Sequence, residues 1–298
     1  MESTKATPTG KYIFGTLGIL PQLLCFSEVS GILDFNNVKM AGVKEMDQIQ
    51  NKALHMALAG HNVLVTGFPG TGKSFVISEI AQNLKLSGKV VAVTATTGKA
   101  AQVLQGKIPP ASKLQVTTVH KFLGLKDGRY SNEELVSLLQ SNESLSTKNK
   151  NIKTIDCLII DEISMLSTKL FEQIECVLSE IRQTPSFGGV QLILSGDFFQ
   201  LPPVANPSYG DNGSYCFLSR FIRCLHHVQL TEMHRQSEPD LIAAIHQCAR
   251  GQITEDTFNL IKRLQRTLPP GPKPLKLFAM NLDVEIYNSE CLLEMEGI

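Results

Sequence analysis

Gly67-Phe68-Pro69-Gly70-Thr71-Gly72-Lys73-Ser74 lies between a short apolar run, Val63-Leu64-Val65, and a segment with helical spacing. The stretch fits G-x-x-x-x-G-K-[ST], the pattern of a phosphate-binding loop set between a strand and a helix. Its spacing lets glycine backbone N–H groups wrap a di- or triphosphate at a helix N-terminus, where bulkier side chains would hold the backbone away. Lys73 then supplies a point charge and Ser74 a hydroxyl for Mg²⁺. The octapeptide therefore argues for an α/β fold and a bound nucleotide together.

The surroundings extend that reading. Val63 to Thr66 reads as a buried strand, Lys73 to Leu86 as a helix and Val90 to Thr94 as a second strand. Cys157 to Ile160 is a third, ending on Asp161-Glu162, and Val190 to Leu194 a further one, ending at Ser195-Gly196-Asp197. Strands alternating with helices imply parallel pairing. Leu166, Leu170, Ile174, Val177, Leu178 and Ile181 recur at steps of three and four, so that segment is a helix with one buried face. Asp47 to Ala59 is helical in pattern and stops at Gly60. Ser237 with Asp240 resembles an N-cap pair for a helix ending at Gly251, which puts Arg235 in the loop just before it. Leu268-Pro269-Pro270-Gly271-Pro272-Lys273-Pro274 reads as a stiff connector, followed by a strand, Leu275 to Ala279, and a helix beginning near Asp283. The expected organisation is an irregular lead-in over 1–45, a complete domain over 46–267, a linker over 268–274 and the start of a second domain over 275–298.

With 298 residues and no low-complexity tract, the chain can bury a large core. Its formal net charge is zero, so any nucleic-acid binding must come from a local patch. Such a patch is visible: from Ile80 to Lys126 there are seven lysines (85, 89, 99, 107, 113, 121 and 126) and no Asp or Glu. The seven cysteines are odd in number and contain no C-x-x-C pair, which argues against a disulfide framework and for a reducing compartment. Cys216, Cys224, His226, His227, His234 and Cys248 fall loosely together, but their spacings match no zinc-knuckle pattern. Tyr12 to Phe26 is apolar yet too short to span a bilayer and is interrupted by Pro21, so no membrane is expected.

A carboxylate at the C-terminal end of a strand beside a phosphate loop can hold Mg²⁺, and Asp161 is so placed. Its neighbour Glu162 is suited to orient and deprotonate an attacking water. With these residues the chain resembles the petite-integration-frequency (PIF) family of ATP-dependent DNA helicases, superfamily-one motors that move 5′ to 3′ on single-stranded DNA. Six blocks carry the resemblance in order: Gly67 to Ser74; Val93 to Ala101, with Thr96-Thr97-Gly98-Lys99; Thr118-Val119-His120-Lys121-Phe122; Leu158 to Met165, with Asp161-Glu162-Ile163-Ser164; Gly188 to Val204, with Gly196-Asp197-Phe198-Phe199-Gln200; and Leu230 to Gln236, with His234-Arg235-Gln236.

The resemblance implies a RecA-like ATPase domain, ATP and Mg²⁺ as cofactors and single-stranded DNA as partner. By it, Gln50 matches the adenine-reading glutamine, with Gln48 as a rival, and Gln200 matches the γ-phosphate sensor. Arg235 matches an arginine that reaches the same phosphate, and Thr97, Gly98, Lys99, His120 and Phe122 match positions near DNA. It also implies work in DNA repair, recombination and telomere maintenance, an intracellular location with the nucleus ahead of the mitochondrion, and a monomer. Only Leu277 to Val284 is similar to the family's second motor domain, and Met280 stands where a polar residue is usual. The expectation is therefore a chain that binds and slowly hydrolyses ATP and unwinds little by itself. Two other readings stand beside it: a non-motor nucleotide-binding regulator, and an unrelated phosphate-loop enzyme such as a small-molecule kinase.

Overall fold

A computed structural model describes residues 46–126, 128–141, 146–265, 271 and 275–295. The expected lead-in over 1–45 and most of the 268–274 linker lie outside the described residues. Six strands, β1 (Val63–Gly67), β2 (Val91–Ala95), β3 (Val116–Thr118), β4 (Cys157–Asp161), β5 (Gln191–Gly196) and β6 (His226–Leu230), form one sheet in the order β3-β2-β4-β5-β1-β6. Every pairing is parallel. All C-terminal strand ends therefore lie on one edge, the place where open α/β sheets bind ligands.

Strand residues alternate between two buried layers. Val63, Val65, Ile159 and Ile193 pack on one face with Val76, Ile77 and Ile80 of α2 (Lys73–Leu86), together with Ala53 and Ala57 of α1 (Gln48–Leu58). Leu64, Leu158, Ile160, Leu192 and Leu194 point the other way. They meet Phe171, Ile174, Val177 and Leu178 of the long helix that begins at Thr168. Burial on both faces is what a central parallel strand requires, and it explains the unbroken apolar runs. Four further helices, α3 (Gly98–Gln105), α4 (Val119–Leu123), α5 (Asn132–Ser141) and α6 (Ser146–Thr154), precede that long helix, α7 (Thr168–Arg182), in the chain.

Two expectations about single elements are corrected. The helix after Arg235, α8 (Pro239–Arg250), starts at Pro239 with Glu238 as N-cap and no side-chain cap bond, not at Ser237. Proline suits the first helical position and disfavours helix in the residue before it, which overrides the capping signal. Leu275 to Ala279 forms no strand. The chain divides into one unit ending at Ile253 and another beginning at Thr254, earlier in sequence than the proline-rich stretch. Gly251 ends α8 in the left-handed region, at φ 68°. Thr254 then caps α9 (Glu255–Leu264), its side chain accepting the N–H of Thr257. Within the second unit the helix expected near Asp283 is α10 (Asn281–Leu293).

Candidate functional site

The loop after β1 is shaped by three glycines. Gly70 and Gly72 take φ 94° and 86°, the left-handed region where a side chain is strained. A Cβ on Gly67 would meet Thr71 Oγ1 at 2.6 Å and the Leu230 carbonyl at 2.7 Å. The backbone is thus bare where phosphates need to approach it. α2 begins at Gly72 with no side-chain cap, which leaves its first N–H groups for a ligand.

Lys73 is 8 % exposed, and its Nζ donates to the carbonyls of Gly67 at 2.7 Å and Phe68 at 3.2 Å. Burial lowers its pKa, while Asp197, Glu162 and Asp161 oppose that drop and Arg235 adds to it. Lys73 therefore lies within electrostatic reach of three carboxylates and of the predicted arginine. Asp161 closes β4 and is 3 % exposed. Burial pushes its carboxyl up, against the Glu162 N–H that it accepts at 3.0 Å. The buried Ser195 hydroxyl beside it pulls the same way without forming a hydrogen bond of good geometry. Glu162 is also raised, first by burial and then by the charge of Asp161.

Glu162 holds φ 57° and ψ 44°, a left-handed conformation that is costly for a non-glycine residue. Thr96 fixes it from the neighbouring strand: its hydroxyl donates to the Glu162 carbonyl at 2.8 Å and its N–H to the Asp161 carbonyl at 3.1 Å. β4 is not the direct neighbour of β1, because β5 runs between them and delivers Asp197. Asp197, 3 % exposed, accepts Gln200 Nε2 at 3.1 Å and the Phe199 N–H at 3.0 Å. Gln200 is thereby tethered to the carboxylate group. Asp197 lies inside the fifth block without a sequence signal of its own, since only the sheet order brings it to Lys73.

Gln50 is buried, and both ends of its amide are engaged: Oε1 accepts the Asp47 N–H at 3.2 Å and Nε2 donates to the Thr71 carbonyl at 3.2 Å. Asp47 returns the bond through Oδ1 to the Gln50 N–H at 2.8 Å, which makes a capping box at the start of α1. Gln48 opens the same helix and makes no contact of this kind with the loop. The segment after β6 covers the loop: His234 N–H donates to the Gly70 carbonyl at 2.9 Å, and a Cβ on Gly70 would strike Gln236 Oε1. Gln236 Oε1 is buried with no hydrogen-bond partner. Phe68 stacks on Phe199 with centroids 5.4 Å apart and meets His246 at 4.2 Å. Arg235 itself is exposed.

The predicted DNA residues collect at the ends of β2 and β3, which pair with Ala95 opposite Thr118. Thr97 caps α3 by accepting the Ala100 N–H at 3.1 Å, and Thr118 caps α4 by accepting the Lys121 N–H at 3.2 Å. Gly98 and Lys99 are exposed, His120 and Phe122 half-buried, and Phe122 packs against the core. Of the seven lysines all but Lys85 are exposed. Of the loosely grouped cysteines and histidines, His234 joins a cluster of ligating groups, but its partners there are Asp47 and Glu232.

Comparison with known proteins agrees with this fold. The chain is 36 % identical to the ATP-dependent DNA helicase RRM3 of Saccharomyces cerevisiae over 243 residues, which cover 79 % of this chain and 32 % of that protein. It is 34 % identical to the ATP-dependent DNA helicase PIF1 of Danio rerio over 260 residues, covering 86 % and 38 %. The crystal structure of Pif1 helicase from Candida albicans superposes with a TM-score of 0.73 at 30 % identity, over 86 % of this chain and 56 % of that one. The Bacteroides Pif1 complex with ADP-AlF3 and single-stranded DNA gives 0.70 at 26 % identity, over 86 % and 59 %. The chain thus spans about a third of the length of these curated relatives. The model of the PIF1-like helicases matches residues 43–253, and the chain belongs to that family.

Proposed function

We propose that residues 46–253 are the nucleotide-hydrolysing core of an ATP-dependent 5′-to-3′ DNA helicase that acts in repair, recombination and telomere maintenance. The observation that carries this reading is the convergence of Lys73, Asp161, Glu162, Asp197 and Arg235 on one glycine cradle. The cradle fits a nucleoside triphosphate: Gly70 and Gly72 hold positive φ, and the uncapped start of α2 leaves backbone N–H groups for phosphate oxygens. In this reading Lys73 exchanges its two loop carbonyls for phosphate oxygens, and Phe68, Pro69, Gly70 and Thr71 enclose them. Gln50 retains one amide hydrogen and one carbonyl lone pair, which suit an adenine edge.

Ser74 and Asp161 would hold Mg²⁺, and the buried Asp161 carboxylate, whose charge acts on Glu162 together with that of Asp197, fits a divalent cation. When bound, the metal neutralises charge on the phosphate oxygens. Glu162 takes the proton of the attacking water, a role aided by a pKa above the ordinary carboxylate value. Gln200 orients toward the γ-phosphate from its tether on Asp197, and Arg235 offsets charge on the transferring oxygens. Thr97, Gly98, Lys99, His120 and Phe122 form the track for single-stranded DNA, with lysines holding phosphates. No helix among the described residues is long and apolar enough to cross a membrane. We place the protein on chromosomal DNA in the nucleus, acting as a monomer.

The test is ATP turnover by the parent and by Glu162→Gln, with and without single-stranded DNA. The parent is expected to be DNA-stimulated, and the variant to lose about 10²–10⁴ in rate while still binding nucleotide. Turnover indifferent to both the strand and the substitution would refute the assignment.

A further inference from the structure

Outside the proposed nucleotide cradle, Asp47, Glu232 and His234 each bring one ligating atom within 4.8 Å of the other two. Asp47 is fixed there because its second oxygen serves the capping box of α1. His234 is fixed by its backbone N–H on the Gly70 carbonyl, and its Nε2 lies 3.0 Å from Asp47 Oδ2. Glu232 is exposed, so its carboxylate is free to rotate inward.

We infer that this trio is a binding site for a first-row divalent transition metal of the zinc, cobalt or nickel kind. Metal–nitrogen and metal–oxygen bonds of about 2.0–2.2 Å place neighbouring ligand atoms about 2.9–3.5 Å apart, and the Asp47–His234 pair, hydrogen-bonded at 3.0 Å, spans such an edge once the metal replaces the shared proton. One imidazole with two carboxylates suits these metals, whereas Mg²⁺ and Ca²⁺ prefer all-oxygen shells. The site shares no ligand with Ser74 or Asp161, so it is separate from the magnesium position proposed above. Its ligands join two parts of that machinery. Asp47 belongs to the turn that holds Gln50, and His234 precedes Arg235 and touches the phosphate loop. An occupied site ties those parts together.

The test titrates Co²⁺ into the purified chain without nucleotide, followed by visible absorption, and then displaces it with Zn²⁺. One equivalent is expected. Asp47→Asn preserves the N-cap acceptor but not the anionic ligand, and Glu232→Gln alters only an exposed side chain, so both variants should fold. Each, along with His234→Gln, is expected to weaken binding more than about tenfold, since even outer-shell changes cost about 10–100-fold in affinity. Absence of stoichiometric binding by the parent, or equal binding by the parent and Glu232→Gln, overturns the site. Because nucleotide is left out, that failure is distinct from failure of the motor reading. A second readout depends on the motor reading: Zn²⁺ should slow ATP turnover in the parent and leave Glu232→Gln unaffected.

Discussion

Asp161 shows what the site costs the fold. Burial raises its pKa, so the folded chain binds that proton more tightly than the unfolded chain does. Stability is therefore gained as pH falls through the raised folded value towards the unfolded one, and at neutral pH the ionised carboxylate is a load on the fold. Asp161→Asn removes the charge and keeps an oxygen for the Glu162 N–H. It is expected to abolish hydrolysis yet raise the melting temperature, by about 2–4 °C for each kcal/mol relieved. A lowered melting temperature would show that the carboxylate is a net structural asset. Glu162 carries a related prediction for catalysis. Its pKa is raised by burial, by Asp161 and by Asp197, against Lys73, so the acid limb of the turnover profile should lie above the ordinary carboxylate range. Asp197→Asn deletes one of the raising charges and should move that limb to lower pH, whatever it does to the maximum rate. A limb that stays in place, measured as kcat against pH, would assign it to another group.

At the level of elements, two threonine-capped helix starts stand side by side because β2 and β3 are parallel neighbours. Lys99 and Lys121, exposed near those starts, are the cations best placed to hold a strand's phosphates. Replacing either with alanine should weaken single-stranded DNA binding at all sequences and flatten the log K against log salt slope by about 0.7. An unchanged slope, measured by fluorescence anisotropy, would remove that lysine from the track. The same region shows which elements the sequence could announce. β1, β4 and β5 are apolar runs between turn signals, and they were legible because a strand buried on both faces must be apolar throughout. β3 has only three residues, all half-buried, and carries no period to read. β6 lies at the sheet edge as His226-His227-Val228-Gln229-Leu230, where pairing with β1 supplies what composition does not. Leu275 to Ala279 fails for the converse reason, since a largely apolar pentapeptide makes a strand only where a neighbour offers an edge.

Across the molecule, the sheet decides which motifs meet. Gly67, Asp161 and Asp197 reach one edge from three strands, and the glycine loop and acidic pair were readable because each is a contiguous motif. The cover formed by His234 and Gln236 was not, because it exists only through the register that sets Gly67 against Leu230. The same edge offers a physical link between the proposed DNA track and the proposed hydrolytic site. Thr96 directly precedes Thr97, and its hydroxyl holds the carbonyl of the strained Glu162. On the proposed assignment, a strand of DNA that shifts the start of α3 would therefore move the Glu162 carboxylate through one side chain. Thr96→Val keeps the shape and deletes that bond, leaving the Thr96 N–H on Asp161 in place. Such a lesion should reduce the DNA stimulation of ATP turnover by about 0.5–2 kcal/mol of coupling while basal turnover changes less. Turnover measured over a titration of single-stranded DNA separates the two quantities. If basal and stimulated rates fall by one common factor, Thr96 supports Glu162 alone and the link runs elsewhere.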